Sequence, residues 1–324
     1  MASRDAVGRI IAGRYELVEP AGEGGMAVVW KALAHGAGSF RRTVAVKRIH
    51  AGRNSDPSFV QLFEEEARVG SQLHHPNIVP ILDFGRDESG GYYLVMEWLE
   101  GVDFFQWIRS FPPARARTPW TLVAAVGVEA LRGLAAAHER TLPSGPAPVI
   151  HRDVSPSNVL LGSAGSVKLT DFGLARAMDR ASMTRPNVIK GKLAYAAPEL
   201  LSGAKPSPST DLFSTGVVLW EALAQRRLFA GPSDVEVLLA IRRGDIPPLS
   251  EQRPDVPQAL VEVVHAALEV DPARRFASAR AMARALAAVL RTVPDPVDEE
   301  PLGASVRAAR VRLGKDPAPP PAMG

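Results

Sequence analysis

The 324-residue chain has no cysteine. That absence excludes disulfides, thiolate metal sites and a cysteine nucleophile. Lysine is also scarce. Only seven of the 38 basic residues are lysine (31, 47, 168, 190, 192, 205 and 315), so each is a more informative position than usual. Charge of one sign is missing as well: the net charge is only +3, which does not describe a nucleic-acid surface. The first residues are polar and charged, without the apolar core of a signal peptide, and no apolar run reads as a membrane span. A cytoplasmic setting, with no membrane segment in this chain and no nucleic-acid partner, is the expectation. What is present is ordinary for a globular protein: 46% apolar and 23% charged residues, enough for one large core or two modest lobes.

The pattern changes along the chain. Up to Trp98 it is strand-rich. Tyr15-Glu16-Leu17-Val18 and Val28-Val29-Trp30-Lys31 flank a glycine cluster and read as a hairpin, and Thr43-Val44-Ala45-Val46-Lys47-Arg48-Ile49 is a third, β-branched strand. Residues 59–73 carry apolar positions at helical spacing, opened by Asp56-Pro57-Ser58. Residues 78–84 and 92–98 are two further strands. Beyond Gly101 the character is helical, over residues 120–138, 211–224, 256–268 and 279–290. Strands followed by helices point to two lobes with a boundary near residues 98–101. Residues 141–148 and the Pro112-Pro113 region read as surface loops. From Pro294 the composition is rich in proline, acids and arginine, a tail with little fixed structure apart from a short arginine-bearing helix at 304–313.

Several motifs carry chemistry. Gly22-Glu23-Gly24-Gly25-Met26-Ala27-Val28-Val29 lies between two strands, where glycines let backbone N–H groups pass close over phosphates. A plain glycine-rich hairpin would use similar letters. A strand rather than a helix follows, against a dinucleotide-binding reading, and Val-Ala-Val-Lys then sets Lys47 at the end of the third strand. The next helix offers Glu64, Glu65 and Glu66 as anions for Lys47; two of three consecutive glutamates must face water. Further on, His151-Arg152-Asp153-Val154-Ser155-Pro156-Ser157-Asn158 precedes Asp171-Phe172-Gly173. The first aspartate of such a pair accepts a hydroxyl proton, while the asparagine and the second aspartate hold Mg²⁺ against a triphosphate.

With GEGGMAVV, VAVK, EEEARVGSQLHHPNIV, YYLVMEWLEG, HRDVSPSNVLL, DFG, AAPE, DLFSTGVVLWE and DPARRF in order, the chain resembles the eukaryotic-like protein kinase family, in its bacterial serine/threonine branch. The resemblance implies an α+β, bilobal protein-kinase fold over residues 15–292. A small β-rich N-lobe with one main helix (about 15–98) would precede a larger helical C-lobe (about 99–292), with 293–324 as a largely disordered tail. It implies ATP with Mg²⁺ or Mn²⁺, protein substrates, and a transient homodimer for autophosphorylation.

Carried over residue by residue, Asp153 would be the base or orienting group, Asn158 and Asp171 the metal ligands, and Lys47 with Glu66 the phosphate-setting ion pair, Glu65 being the second choice. Met96 would be the gatekeeper, with Glu97 and Leu99 offering backbone groups to adenine between Val29, Ala45 and Leu160, and Asp103 reaching the ribose. Asp211, Glu199 and Arg275 match scaffold residues, and Arg152 would receive a phosphate on Ser182 or Thr184. Two letters depart from the branch: Ser155 stands where a lysine is usual, and Lys192 where a threonine is usual. These two departures are read as a swap, Lys192 supplying the ammonium and Ser155 the hydroxyl; the competing reading is a chain with impaired catalysis or a pseudokinase that docks partners.

Overall fold

The computed structural model describes residues 5–24, 27–50, 52, 56–112, 116–172, 193–294 and 298–316. They form two compact units. One takes in the chain up to Trp98 and returns for Asp171 and Phe172; the other runs from Leu99 to Thr170 and resumes at Leu193.

The first unit is built on a six-stranded antiparallel sheet. Its strands are β1 (Ile10–Ile11), β2 (Tyr15–Glu23), β3 (Ala27–His35), β4 (Arg41–Ile49), β5 (Ile81–Arg86) and β6 (Tyr92–Glu97), in the order β1-β2-β3-β4-β6-β5. Alternation along the strands sorts the side chains onto two faces. Tyr15, Leu17, Trp30, Val44, Val46, Tyr93 and Val95 form one buried cluster. Ile49 and Leu94 belong to the opposite face and pack with Phe63 and Ala67 of helix α1 (Pro57–Gly70). That helix starts where Asp56 accepts the amide of Ser58 and Pro57 occupies the first turn, a position at which the missing N–H costs nothing. Phe63 is 2% exposed, and truncation to alanine there would cost about 3–5 kcal/mol. Lys47 shares the parity of Ile49 on β4, and so lies on the helix-covered face. At the other end of the unit, residues ahead of β2 are tied down by charge: Arg9 contacts Asp5 at 2.7 Å and Asp87 at 3.0 Å, and Arg48 contacts Asp5 at 3.1 Å and Asp87 at 2.8 Å.

The second unit contains the short strands β7 (Gly101–Asp103), β8 (Thr141–Leu142), β9 (Gly145–Pro146), β10 (Val159–Gly162) and β11 (Val167–Leu169). Strands β11-β10-β7 form a three-stranded sheet, and β8 with β9 makes a small hairpin inside the stretch expected to be only a loop. The helices are α2 (Phe104–Arg109), α3 (Trp120–His138), α4 (Pro198–Leu201), α5 (Pro208–Ala224), α6 (Asp234–Arg243), α7 (Leu249–Gln252), α8 (Gln258–Ala267), α9 (Ala279–Leu290) and α10 (Glu299–Arg312). Helix α5 begins three residues before the expected Asp211 because Ser207 and Thr210 close a reciprocal capping box ahead of it. At Gly127 of α3 neighbouring helices approach closely: a Cβ there would lie 2.9 Å from both Leu219 of α5 and Leu286 of α9.

Two expectations need correction. Helix α3 is long and apolar enough to cross a membrane, contrary to the reading that no run is; about two thirds of that window is buried in the unit, as a core helix requires. The segment after Pro294 is not structureless over residues 298–316. Helix α10 begins five residues before the expected position 304, capped by Asp298, and buries Leu302, Val306 and Ala309. These positions recur at i, i+4 and i+7, one helical stripe. Only the arginine-bearing part, 304–313, was legible in the sequence, which left Leu302 out of the stripe.

Candidate active site

In the first unit the site is a buried charge cluster. Burial of one helix face and one sheet face selects among the three glutamates: Glu64 is exposed, Glu65 turns to Arg68 at 2.7 Å, and Glu66 is 3% exposed with its carboxylate 2.8 Å from the Lys47 ammonium. A second carboxylate, Asp171, contacts the same ammonium at 2.7 Å. Burial works against the charge on Lys47, yet the Asp171 and Glu66 carboxylates outweigh it and hold its pKa above the ordinary lysine value. Glu66 is pushed up to about 7, first by burial and further by the Asp171 carboxylate, against the pull of Lys47. A lysine that stays charged while buried between two acids is a ready partner for an anionic group. Asp171 is held at φ 63°, in the left-handed region where a non-glycine side chain carries strain, a condition common at functional sites.

The glycine-rich segment is a continuation of the β2–β3 ladder. Gly22 pairs with Val29 and Glu23 with Val28, and the Gly24 amide closes on the Ala27 carbonyl at 2.9 Å. A Cβ on Gly22 would meet nothing within 4 Å, so that stretch has open space around it. Gly25 and Met26 lie outside the described residues. On the neighbouring strands, Val29 is registered with Lys47, and Ala45 with Met96. Ala45 and Met96 are buried, and the Glu97 amide donates to the Pro80 carbonyl at 3.1 Å, which leaves any role toward adenine to its carbonyl.

In the second unit the loop from His151 to Asn158 is held by hydrogen bonds to its backbone and between its side chains. The carboxylate of Asp211, fully buried, accepts the amides of His151 and Arg152, each at 2.8 Å, and contacts the His138 ring at 2.7 Å. Arg152 sits at φ 66°, a strained turn those two bonds hold in place. His151 spans the loop. The Asp153 amide donates to its Nδ1 at 3.3 Å, so Nε2 carries the proton and donates to the Thr170 carbonyl at 3.0 Å. The Asn158 amide nitrogen donates to the Asp153 carbonyl at 2.7 Å and to its carboxylate at 3.0 Å. That commitment turns the Asn158 oxygen, a hard ligand of the kind Mg²⁺ takes, away from Asp153. Ser155 is 3% exposed, with its hydroxyl 3.2 Å from that of Ser157. Leu160 pairs with Asp103 across β10 and β7, and Asp103 also caps α2 through the Gln106 amide at 2.7 Å. Leu99 opens this unit and is partly buried. Below the loop, Arg275 grips Glu199 through two bonds of 2.9 and 2.7 Å and accounts for the carbonyls of Ser209, Glu269 and Val270.

The structure therefore brings Lys47, Glu66 and Asp171 together, and separately Asp153 and Asn158. Lys192, Ser182 and Thr184 lie outside the described residues. Two parts were missed in the sequence. His151 as the loop's internal brace was legible only as one letter of its motif, and the direct Lys47–Asp171 contact had no local signal across 124 positions.

A sheet-based unit with a buried Lys–Glu–Asp cluster, and a helical unit with a braced His-Arg-Asp loop, define a class. The model of the protein kinase domain matches residues 15–286, and this chain belongs to that family. Among curated proteins, it is 41% identical to the tyrosine-protein kinase MasK of Myxococcus xanthus, over 91% of this chain and 46% of MasK. It is 35% identical to the serine/threonine-protein kinase PknA of Mycobacterium tuberculosis, over 94% of this chain and 68% of PknA. The chain thus spans about half the length of MasK and about two thirds of PknA. Among solved structures, the PknI kinase domain of Mycobacterium tuberculosis superposes with a TM-score of 0.65 at 29% identity, covering 88% of this chain and 99% of that one.

Proposed function

We propose that this chain is an active protein serine/threonine kinase, transferring the γ-phosphoryl group of MgATP to protein hydroxyls with a turnover of roughly 1–100 s⁻¹. The observation that carries the proposal is the buried Lys47 ammonium between Glu66 and Asp171. Burying a charged lysine between two acids is costly, and binding an anionic phosphate is a use that offsets the cost. In this reading Lys47, fixed by Glu66, neutralises phosphate oxygens. Asn158 and Asp171 present hard oxygen donors to Mg²⁺, which supplies charge neutralisation on the phosphates when bound. Asp153 orients the acceptor hydroxyl and takes its proton, and the Asn158 amide keeps its carboxylate aimed. Val29, Ala45, Met96 and Leu160 supply apolar surface for adenine, Glu97 and Leu99 backbone groups, and Asp103 a ribose contact. Gly22, Glu23, Gly24, Gly25, Met26 and Ala27 form the phosphate loop. Ser155 and Lys192 act as an exchanged pair near the transferring group. Phosphorylation of this chain by a second copy, through a transient homodimer, belongs to the same proposal.

A second reading adds tyrosine to the acceptors. It is favoured by the name of MasK and by Ser155, which replaces the lysine usual in the serine/threonine branch. Incubation with γ-labelled ATP and a generic basic protein, followed by acid hydrolysis and phosphoamino-acid separation, decides between them, with Asp153→Asn as the inactive control. Label on serine or threonine supports the proposal. Label on tyrosine supports the second reading. Absence of label from a chain that still binds MgATP would make it a docking module instead.

A further inference from the structure

Helix α10 lies outside the residues matched by the family, which end at 286, yet it is seated against the strands that follow Leu99. Its fit is specific at both ends. At its start, the chain passes so close to the β10–β11 turn that a Cβ on Gly165 would lie 1.9 Å from the Glu299 carbonyl, and one on Gly303 would lie 2.9 Å from the Ser163 carbonyl. Midway, the fully buried Trp107 donates its indole N–H to Ser305 at 3.0 Å. Toward its end, Arg310 reaches three partners. One guanidinium nitrogen donates to the Gly101 carbonyl at 3.0 Å, another meets Glu100 at 2.7 Å, and Asp316 holds the fork from behind at 2.7 and 2.5 Å. Gly314, at φ 67°, turns the chain so that Lys315 comes back to Gln106 at 2.9 Å.

Gly101 and Glu100 immediately follow Leu99, and β7 ends in Asp103, which pairs with Leu160. We infer that Arg310 is a positioning residue for nucleotide recognition: it fixes the β7 strip that carries Leu99 and Asp103, with Leu160 beside it, and thereby sets the affinity for ATP. The inference rests on the proposed function, since those three residues are its adenine and ribose contacts. A strand of three residues at one edge of a three-stranded sheet has few ladder bonds of its own, and a doubly anchored guanidinium adds a charge-assisted bond to its first carbonyl. Gly101 has no room to be stiffened by a side chain, because a Cβ there would lie 1.9 Å from the Leu161 carbonyl. Stiffness has to come from outside the strand.

The test is steady-state kinetics on the whole chain, with direct MgATP titration beside it. Arg310→Ala should raise the KM for ATP roughly three- to tenfold while kcat at saturating ATP stays within about twofold. Glu100→Gln, which keeps the carbonyl contact and weakens only the ion pair, should give a smaller rise in the same parameter. Arg312→Ala serves as the control, because among the described residues Arg312 reaches Ser110 and the Phe111 ring at the far end of α2. It should leave the KM for ATP unchanged even if it lowers Tm. An unchanged KM in both Arg310→Ala and Glu100→Gln overturns the inference. So does a KM rise in Arg312→Ala that matches Arg310→Ala, which would reduce α10 to a general stabiliser. Failure of the parent chain to bind MgATP is a separate outcome and overturns the proposed function itself.

Discussion

The two units hold their chemistry in different ways. In the sheet-based unit, Lys47, Glu66 and Asp171 are side chains that hold one another by charge, and Asp171 is needed twice: it pairs with Lys47, and it is also a proposed metal ligand. In the helical unit, Asp153 follows backbone amides bonded to Asp211 and is itself bonded to the His151 ring, and the Asn158 side chain is tied to Asp153, so this pair is held by fixed hydrogen bonds. The contrast separates what must rearrange from what is preorganised. A cation held at Asp171 would share its carboxylate with Lys47, whereas the Asp211 bracing involves no proposed metal ligand.

Substitution should break the two regions differently. Lys47→Met should lower kcat/KM about 10²–10³-fold, as for loss of a charged group that stabilises the transferring phosphate. The fold should survive it, because Glu66, already pushed up to about 7, can take a proton in place of its partner. Asp211→Asn is expected to lower activity and also to cost about 2–4 kcal/mol of stability, since one backbone donor then faces an amide N–H. Chemical denaturation beside kinetics reads both, and loss of stability in Lys47→Met but not in Asp211→Asn would reverse the comparison.

The exchanged pair comes next in size. Lys192→Ala should slow turnover by on the order of 10². The double variant Ser155→Lys with Lys192→Thr should keep activity, and an unchanged rate in Lys192→Ala alone would sink the exchange.

The smallest effect concerns pH. A carboxyl raised from 4.5 to about 7 in the folded state disfavours its own ionisation, so its contribution to stability is complete below 4.5 and is lost as the pH rises through 7. Thermal denaturation of the ligand-free chain should therefore show Glu66→Gln gaining on the parent across that interval. A parent curve that rises there relative to the variant would contradict the assignment.

Much of this was legible in the letters because local rules and tertiary packing agree. The β-branched run ending in Lys47 is a strand, and its parity with Ile49 places the lysine on the helix side. Asp153, Asn158 and Asp171 were named from their motif letters and the resemblance those letters carry. Among the glutamates, the resemblance favoured Glu66, and burial explains the choice: 65 has Arg68 three residues on, and 64 faces water. What escaped the sequence depends on distant partners. Nothing near Leu302, Val306 and Ala309 announces that their stripe is covered, because the contacts that seat the helix come from Trp107 and Gly165, far earlier in the chain. The β8–β9 hairpin was hidden for a different reason: two-residue strands carry too little alternation to read.

Helix α10 and the Asp5–Arg9–Arg48–Asp87 cluster have one thing in common: each draws on residues beyond the ends of the family match, 5 and 9 before it and 299–312 after it. The span matched by the family is thus shorter than the span whose contacts complete each unit. An excision made at the borders of the shared domain would keep every motif letter. It would also strip a buried arginine of one counter-ion and leave Trp107 facing water, and the rate then measured would belong to a damaged object.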